Sequence, residues 1–344
     1  MTRLTGREAL NRVLASELAV DRRAVVLGET VRLDGSSGVL RGLYDRFGPG
    51  QVIETPVSEN GIFGVALGLA LAGYRPIVEI YSADFLLVVA NEIIGDMCKW
   101  RQQHARPGPL PIVIRGCMGP NEKGGLGPEH SQSMEPYFHH APGLNIVTPG
   151  TPRDMAGLFR AALRSPDPVL FLEHRRVYEL TGEVPDDEDF TIELGCAEVV
   201  REGKDATLVA WGWMRSEAES AAGVLEGEGI SVELVDPRTI VPMDHKTIAQ
   251  SVARTGRLIV AEEANLTGGV GAEVVARAVE SAARPIRVAR VSMPDMIHPY
   301  SASMERLVVP NASTVAEAVR RLVSSEAPAG PWRHDFAIPG ASQD

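Results

Sequence analysis

Along the first half of the chain, short apolar runs alternate with longer stretches of helical period. Residues 24–27, 76–80, 112–114, 144–147 and 169–172 read as buried strands. Residues 5–20, 59–72, 85–101 and 152–164 carry helical spacing between them. Strands alternating with helices predict a parallel, doubly wound α/β sheet over residues 1–180. The segment TGEVPDDED (181–189) then places five acids, a glycine and a proline in nine residues. It predicts a solvated acidic linker over 181–193 rather than an element. The alternation restarts at residues 206–211, 216–228, 231–236, 245–255, 257–262, 269–282 and 286–291, which predicts a second, smaller α/β domain over 194–324. Residues 325–344, rich in Pro, Gly and Ala, read as an extended tail.

Charge and composition exclude some classes of partner. The 344 residues carry a net charge of −11 and no long Lys/Arg cluster, which argues against nucleic acid. The three cysteines, Cys98, Cys117 and Cys196, are too scattered for a disulfide framework or a zinc site. Arg3, Arg7, Glu8, Arg12 and Glu17 stand where a secretory signal needs apolar residues, and the apolar stretch 61–73 is too short to span a bilayer. A cytoplasmic protein without membrane contact is expected.

The chemistry concentrates in TPVSENGIFGVALGLALAG, residues 55–73. Pro56 disfavours helix before it and Ser58 is placed as an N-cap, so Glu59 falls in the first helical turn. Gly61, Gly64 and Gly68 then share one face, although each glycine costs a helix interior roughly 1 kcal/mol. Spacing leaves two readings open. Glu59 can complement the helix dipole while the glycines permit tight packing. Alternatively, a carboxyl at the mouth of an apolar helix can act on a ring nitrogen beside a flat cofactor.

The ordered series of motifs narrows this. SENGIFGVALGLALAGYRPIVEI resembles the pyrimidine-binding segment of E1 β subunits of thiamine-diphosphate-dependent 2-oxoacid dehydrogenases. In the same order follow GET (28–30), ADF (83–85), EHSQS (129–133), HAPGLNIVTPGTPRD (140–154), DPVLFLE (167–173), VDPRTIVPMD (235–244), EEANLTGGVGAE (262–273) and PDMIHPYS (294–301). The resemblance implies an N-terminal pyrimidine-binding domain and a transketolase C-terminal-like domain. It implies that Glu59 hydrogen-bonds N1′ of the aminopyrimidine and that Phe85 packs against that ring. Glu29 and Ile62 are implied as further cofactor contacts. His130 is implied as a catalytic residue that handles protons or positions the acceptor during acyl transfer to lipoyl-E2. The preceding CMGPNEKGGLGPE departs from the commoner family pattern, which bears on substrate and acceptor rather than on the cofactor.

Thiamine-diphosphate enzymes hold the diphosphate through Mg²⁺ with a Gly-Asp-Gly run, because Mg²⁺ needs hard oxygen ligands. The chain has none; Gly95-Asp96-Met97 is the nearest match. An α-type E1 subunit is therefore expected to bring the Mg²⁺ ligands, in an α2β2 assembly, and no metal residue is assigned to this chain. GGVGAE (268–273) reads as a tight strand-to-helix turn rather than a dinucleotide fingerprint. His139–His140 and Asp244–His245 lack metal-ligand company and read as structural. Two alternatives stand beside the dehydrogenase reading: a transketolase-like carboligase subunit without E2, and a non-catalytic scaffold.

Overall fold

The computed structural model describes residues 1–324 other than 36, 106, 107 and 122, so the expected tail lies outside the described residues. The first half begins with β1 (Thr2–Thr5) and α1 (Gly6–Val20). Thr5 and Glu8 close a reciprocal capping box at the start of α1. Then come β2 (Ala24–Gly28), α2 (Leu43–Phe47), β3 (Val52–Glu54), α3 (Glu59–Leu71), β4 (Arg75–Ile80), α4 (Trp100–Gln103), β5 (Val113–Met118), α5 (Glu135–Phe138), β6 (Asn145–Val147), α6 (Pro152–Arg164), β7 (Val169–His174) and β8 (Thr181–Val184). The second half runs β9 (Glu198–Arg201), β10 (Ala206–Ala210), α7 (Trp213–Gly227), β11 (Val232–Asp236), β12 (Thr239–Val241), α8 (His245–Thr255), β13 (Arg257–Asn265), α9 (Val270–Ser281), β14 (Arg287–Met293), α10 (Ala302–Val308) and α11 (Ala312–Val323).

Two main sheets result. The first has the order β12-β6-β7-β5-β4-β2-β3, parallel throughout except where β12 meets β6. The second has the order β14-β13-β10-β11-β9, with β9 antiparallel at its edge. Both are covered by helices, as the near-continuous apolar strands require. The five strands read from the first half of the sequence are all present as β2, β4, β5, β6 and β7.

Three expectations need correction. The acidic segment is not wholly a linker. Thr181–Val184 pairs antiparallel with Thr2–Thr5, because its alternation turns Val184 inward while the acids beyond stay outside. The helix expected over 85–101 is broken into a 3₁₀ turn (Ala83–Leu87), a π-helix (Asn91–Met97) and α4. The wide turn is visible in Cys98 N–H donating to Ile93 C=O. Gly95 allows it, since a Cβ there would lie 2.7 Å from Asn91 Oδ1. Ser58 flanks α3 as expected but makes no side-chain cap; its hydroxyl lies over Gly61 instead.

The two halves are tied together by backbone as well as side chains. β12, from the second half, extends the first sheet through Thr239↔Val147 and Val241↔Ile146. Beside it, Arg238 pairs with Asp154 and Glu198, both at 2.9 Å. Trp211 Nε1 donates to buried Glu135 Oε1 across the same seam.

Candidate active site

The site residues sit at the carboxyl ends of β2, β3 and β4. The chain passes from β2 to its neighbour β3 at the sheet edge, then returns to place β4 on the other side of β2. Ligands of open α/β sheets bind at such a reversal, because diverging loops leave a crevice there. Glu29 follows β2, Glu59 opens α3 after β3, and Phe85 lies in the turn after β4.

Local hydrogen bonds set this rim. Glu54, the last residue of β3, accepts from Thr30 N at 3.1 Å and Arg32 N at 2.7 Å, holding the turn that carries Glu29. Thr30 takes a left-handed φ of 55° in that turn. Glu29 is half-buried, and its carboxyl is raised above the ordinary range, first by lost hydration and then by the charges of Glu59 and Glu54. Burial alone disfavours its charged form, and two neighbouring carboxylates add to that. Asn60 Nδ2 donates to Glu92 Oε1 at 2.8 Å and to Val88 C=O, which ties the start of α3 to the segment after Phe85.

The fourth expected residue arrives from a distant loop. The His130 ring meets Phe85 edge-on at 5.5 Å between centroids and Tyr81 at 5.9 Å. Glu59, Phe85 and His130 are all half-buried, so each keeps an open side. Ile62 is different: it is 5 % exposed and shares the core beneath the site with Leu27, Val78 and Ile80.

The motifs ADF and HSQ do not by themselves reveal the residues that join them. Buried Asp84 accepts from Gln132 N at 3.2 Å, from Gln132 Nε2 at 3.0 Å and from Ser82 Oγ. Arg175 backs this contact, donating to Ser82 Oγ and to Gly119 C=O. The one signal in the sequence is an acid between two apolar residues in ADF, a type rarely buried without partners.

Below the rim, Arg115 on β5 spans Glu79 on β4 and Glu173 on β7 at 2.6–2.8 Å, with Tyr178 also donating to Glu173. This buried ion cluster crosses three adjacent strands and leaves few ways for them to shift. On the far side of the His130 loop, a cleft of about 580 Å³ opens against the second half, lined by Ser131, Gln132, Glu263, Asp295 and His298. The loop reaches that half through Gly124 and Gly127, both at positive φ; a Cβ at Gly127 would lie 2.1 Å from the Tyr300 ring.

The expected glycine face of α3 is open. Among the described residues, no atom would lie within 4 Å of a Cβ at Gly64 or Gly68. Val57, Val65, Leu87 and Val88 are also at least 45 % exposed. The close approach that the glycines permit is therefore not made within the described chain. Among the described residues, no three His, Cys, Asp or Glu side chains are grouped to hold a metal, and no helix is long and apolar enough to cross a membrane.

Comparison with known proteins agrees with this architecture. Residues 2–181 match the pyrimidine binding domain of transketolase, and residues 195–315 match the transketolase C-terminal domain. The chain is 40 % identical to the pyruvate dehydrogenase E1 component subunit beta of Bacillus subtilis, over 94 % of this chain and 99 % of that one. It is also 40 % identical to the 2-oxoisovalerate dehydrogenase subunit beta of the same organism, over 92 % of this chain and 97 % of that one. The Rhizobium meliloti pyruvate dehydrogenase E1 component subunit beta is 38 % identical over 93 % of this chain and 70 % of its own length. Among solved structures, a split-gene transketolase described as an inactive beta4 tetramer superposes with a TM-score of 0.76 at 25 % identity, covering 93 % of this chain and 99 % of that one. A rim of carboxylates and aromatics at a sheet reversal, on a chain that matches these relatives over nearly its whole length, places the protein in the transketolase-like family of 2-oxoacid dehydrogenase E1 β subunits.

Proposed function

We propose that this chain is the β subunit of a thiamine-diphosphate-dependent 2-oxoacid dehydrogenase E1, cytoplasmic and active only with an α-type partner. The observation that carries the reading is the convergence of Glu29, Glu59, Phe85 and His130 on one open rim, linked by the Glu29–Glu59 interaction, the Asn60 bridge and the Phe85–His130 contact. The relatives' names favour this reading over a carboligase or scaffold subunit.

The residues fit the pyrimidine end of the cofactor. Glu59 would hold N1′, Phe85 would cover one face of the ring, Glu29 would stand behind Glu59, and Ile62 would line the floor. When bound, thiamine diphosphate supplies a carbon nucleophile for the 2-oxo carbon and an electron sink for decarboxylation. The chain's own part is proton management at that rim. Glu59 would hold and exchange a proton with the ring nitrogen N1′, with the Glu29 carboxyl beside it. His130 moves a proton at the acceptor during acyl transfer, while Phe85 and Tyr81 fix its ring. The diphosphate and Mg²⁺ need oxygen ligands that we assign to the α-type subunit. The open glycine face of α3 supports a partner there, and the split-gene transketolase offers a parallel: its beta4 tetramer is described as inactive.

The test is coexpression with an α-type chain carrying Gly-Asp-Gly. The expected product is a 2:2 assembly that decarboxylates pyruvate or a branched-chain 2-oxoacid with thiamine diphosphate and Mg²⁺. Glu59→Gln in that assembly should lower turnover by about 100-fold or more without dissociating it. Turnover by the chain alone, or a Glu59→Gln enzyme within about twofold of the parent, sinks the proposal.

A further inference from the structure

We propose that Asp84 is the positioning residue that sets the His130 ring against Phe85, which rests on the role given to His130 above. The two segments of the site come from points far apart in sequence, and Asp84 joins them. It lies one residue before Phe85, is 7 % exposed, and takes three hydrogen bonds: two from Gln132, which is two residues after His130, and one from Ser82. One of these donors is the Gln132 backbone N–H, so the carboxylate fixes main chain and not merely a side chain. Ser82 holds a left-handed φ of 62° and also accepts from Arg175 Nη2, which anchors the near side of the contact to the end of β7.

The chemistry explains why an acid stands there. A carboxylate is acceptor-only, and all the groups facing it here are donors. Both Gln132 donors meet Asp84 Oδ1, while Ser82 Oγ meets Oδ2. Asparagine can keep its oxygen on Gln132 and turn its NH₂ to the Ser82 hydroxyl, so it preserves the join; alanine removes the acceptor outright. In Asp84→Ala the loss falls on the Gln132 backbone, and His130 two residues earlier moves with it. The other end of the loop is held independently, by the Gly124 and Gly127 contacts with Ala302 and Tyr300. Loss of Asp84 therefore loosens one anchor of two and displaces His130 rather than unfolding the loop.

The experiment uses the assembled complex with ¹³C-labelled histidine ring carbons, and a double-mutant cycle of Asp84→Ala with His130→Ala. The His130 resonance, identified by its disappearance in His130→Ala, should shift and broaden in Asp84→Ala, while the other seven histidines hold still. Asp84→Glu, which retains an acceptor-only group, should restore part of the shift. Acyl transfer to a lipoyl domain should fall about 10-fold in Asp84→Ala, but by less than about twofold when His130 is already Ala. An unmoved His130 resonance overturns the inference whatever the rates. Equal losses in both backgrounds overturn it too, since they mark a general structural prop. A shifted resonance with transfer unaffected by His130→Ala leaves the positioning intact and removes His130 from the reaction, so the two failures are told apart.

Discussion

The rim at the carboxyl ends of β2–β4 and the seam between the two halves hold acids of opposite character. At the rim, Glu29 and Glu59 are half-buried beside exposed glycine and valine positions. At the seam the acids are sealed. Burial pushes the Glu135 carboxyl up to about 7. It takes Glu262 up to about 8, with Glu135 adding to the effect. Asp236 also reaches about 8 through burial and its neighbour Asp154. Glu263 goes the other way: despite burial, His174 at 2.8 Å and Arg176 draw it below the usual range. Strongly perturbed acids are a standard pointer to catalysis, yet here they gather at the joint that fixes the halves. No described residue covers the glycine face beside the rim; on the function proposed above, the α-type subunit would supply that cover.

That contrast breaks most sharply when the open face is filled. Gly64→Leu places a side chain where the described chain leaves free space, and it replaces a poor helix former by a good one, so the chain alone should keep or gain about 0.5–1 kcal/mol. Association with the α-type subunit, and activity with it, should be lost. A Gly64→Leu chain that still assembles, by analytical ultracentrifugation, would falsify the partner face.

The loop between rim and seam gives a smaller effect. Gly127 has φ +69° and abuts Tyr300, so Gly127→Ala should pull the His130 loop off the second half and lower acyl transfer by about 10- to 100-fold. Pairing it with Tyr300→Ala relieves the clash but not the backbone strain, and should recover part of the loss. No recovery would place the whole effect in the backbone.

The seam itself gives the smallest shift. The Glu262 carboxyl rises from an ordinary 4.5 to about 8 in the fold. The folded chain therefore keeps a proton that the unfolded chain has released, and stability declines as pH rises between those values. Glu262→Gln removes that decline. Its melting temperature should exceed the parent's by a few degrees at about pH 8 and match it at about pH 4.5. An equal difference at both pH values would mean that packing, not titration, separates the two.

The regular parts of this molecule are legible in its sequence, and its joints are not. The buried parallel strands announce themselves because both faces must be apolar, so Ala24–Gly28 and Val169–His174 need no partner information to be seen. Thr239–Val241 and Thr181–Val184 escape the pattern because each is short and owes its existence to a strand far away in the chain. The break of 85–101 into 3₁₀, π and α segments is hidden for a related reason. Buried Leu86, Val89, Ile93 and Met97 satisfy a helical period, while the Ser82–Asp84 bond and the space that Gly95 leaves for Asn91 Oδ1 lie outside what that period encodes.

The sequence by itself determined the two α/β halves, the carboxylate opening a glycine-faced helix, and the order of motifs that carries the family. Each depends on local periodicity or on residue identity at short range. Only the tertiary structure decided that His130 meets Phe85, that Asp84 joins their segments, and that the glycine face looks outward. Those facts depend on which loops the sheet order brings to one edge, and on where this chain's own atoms stop. Neither is written in the spacing of any single segment.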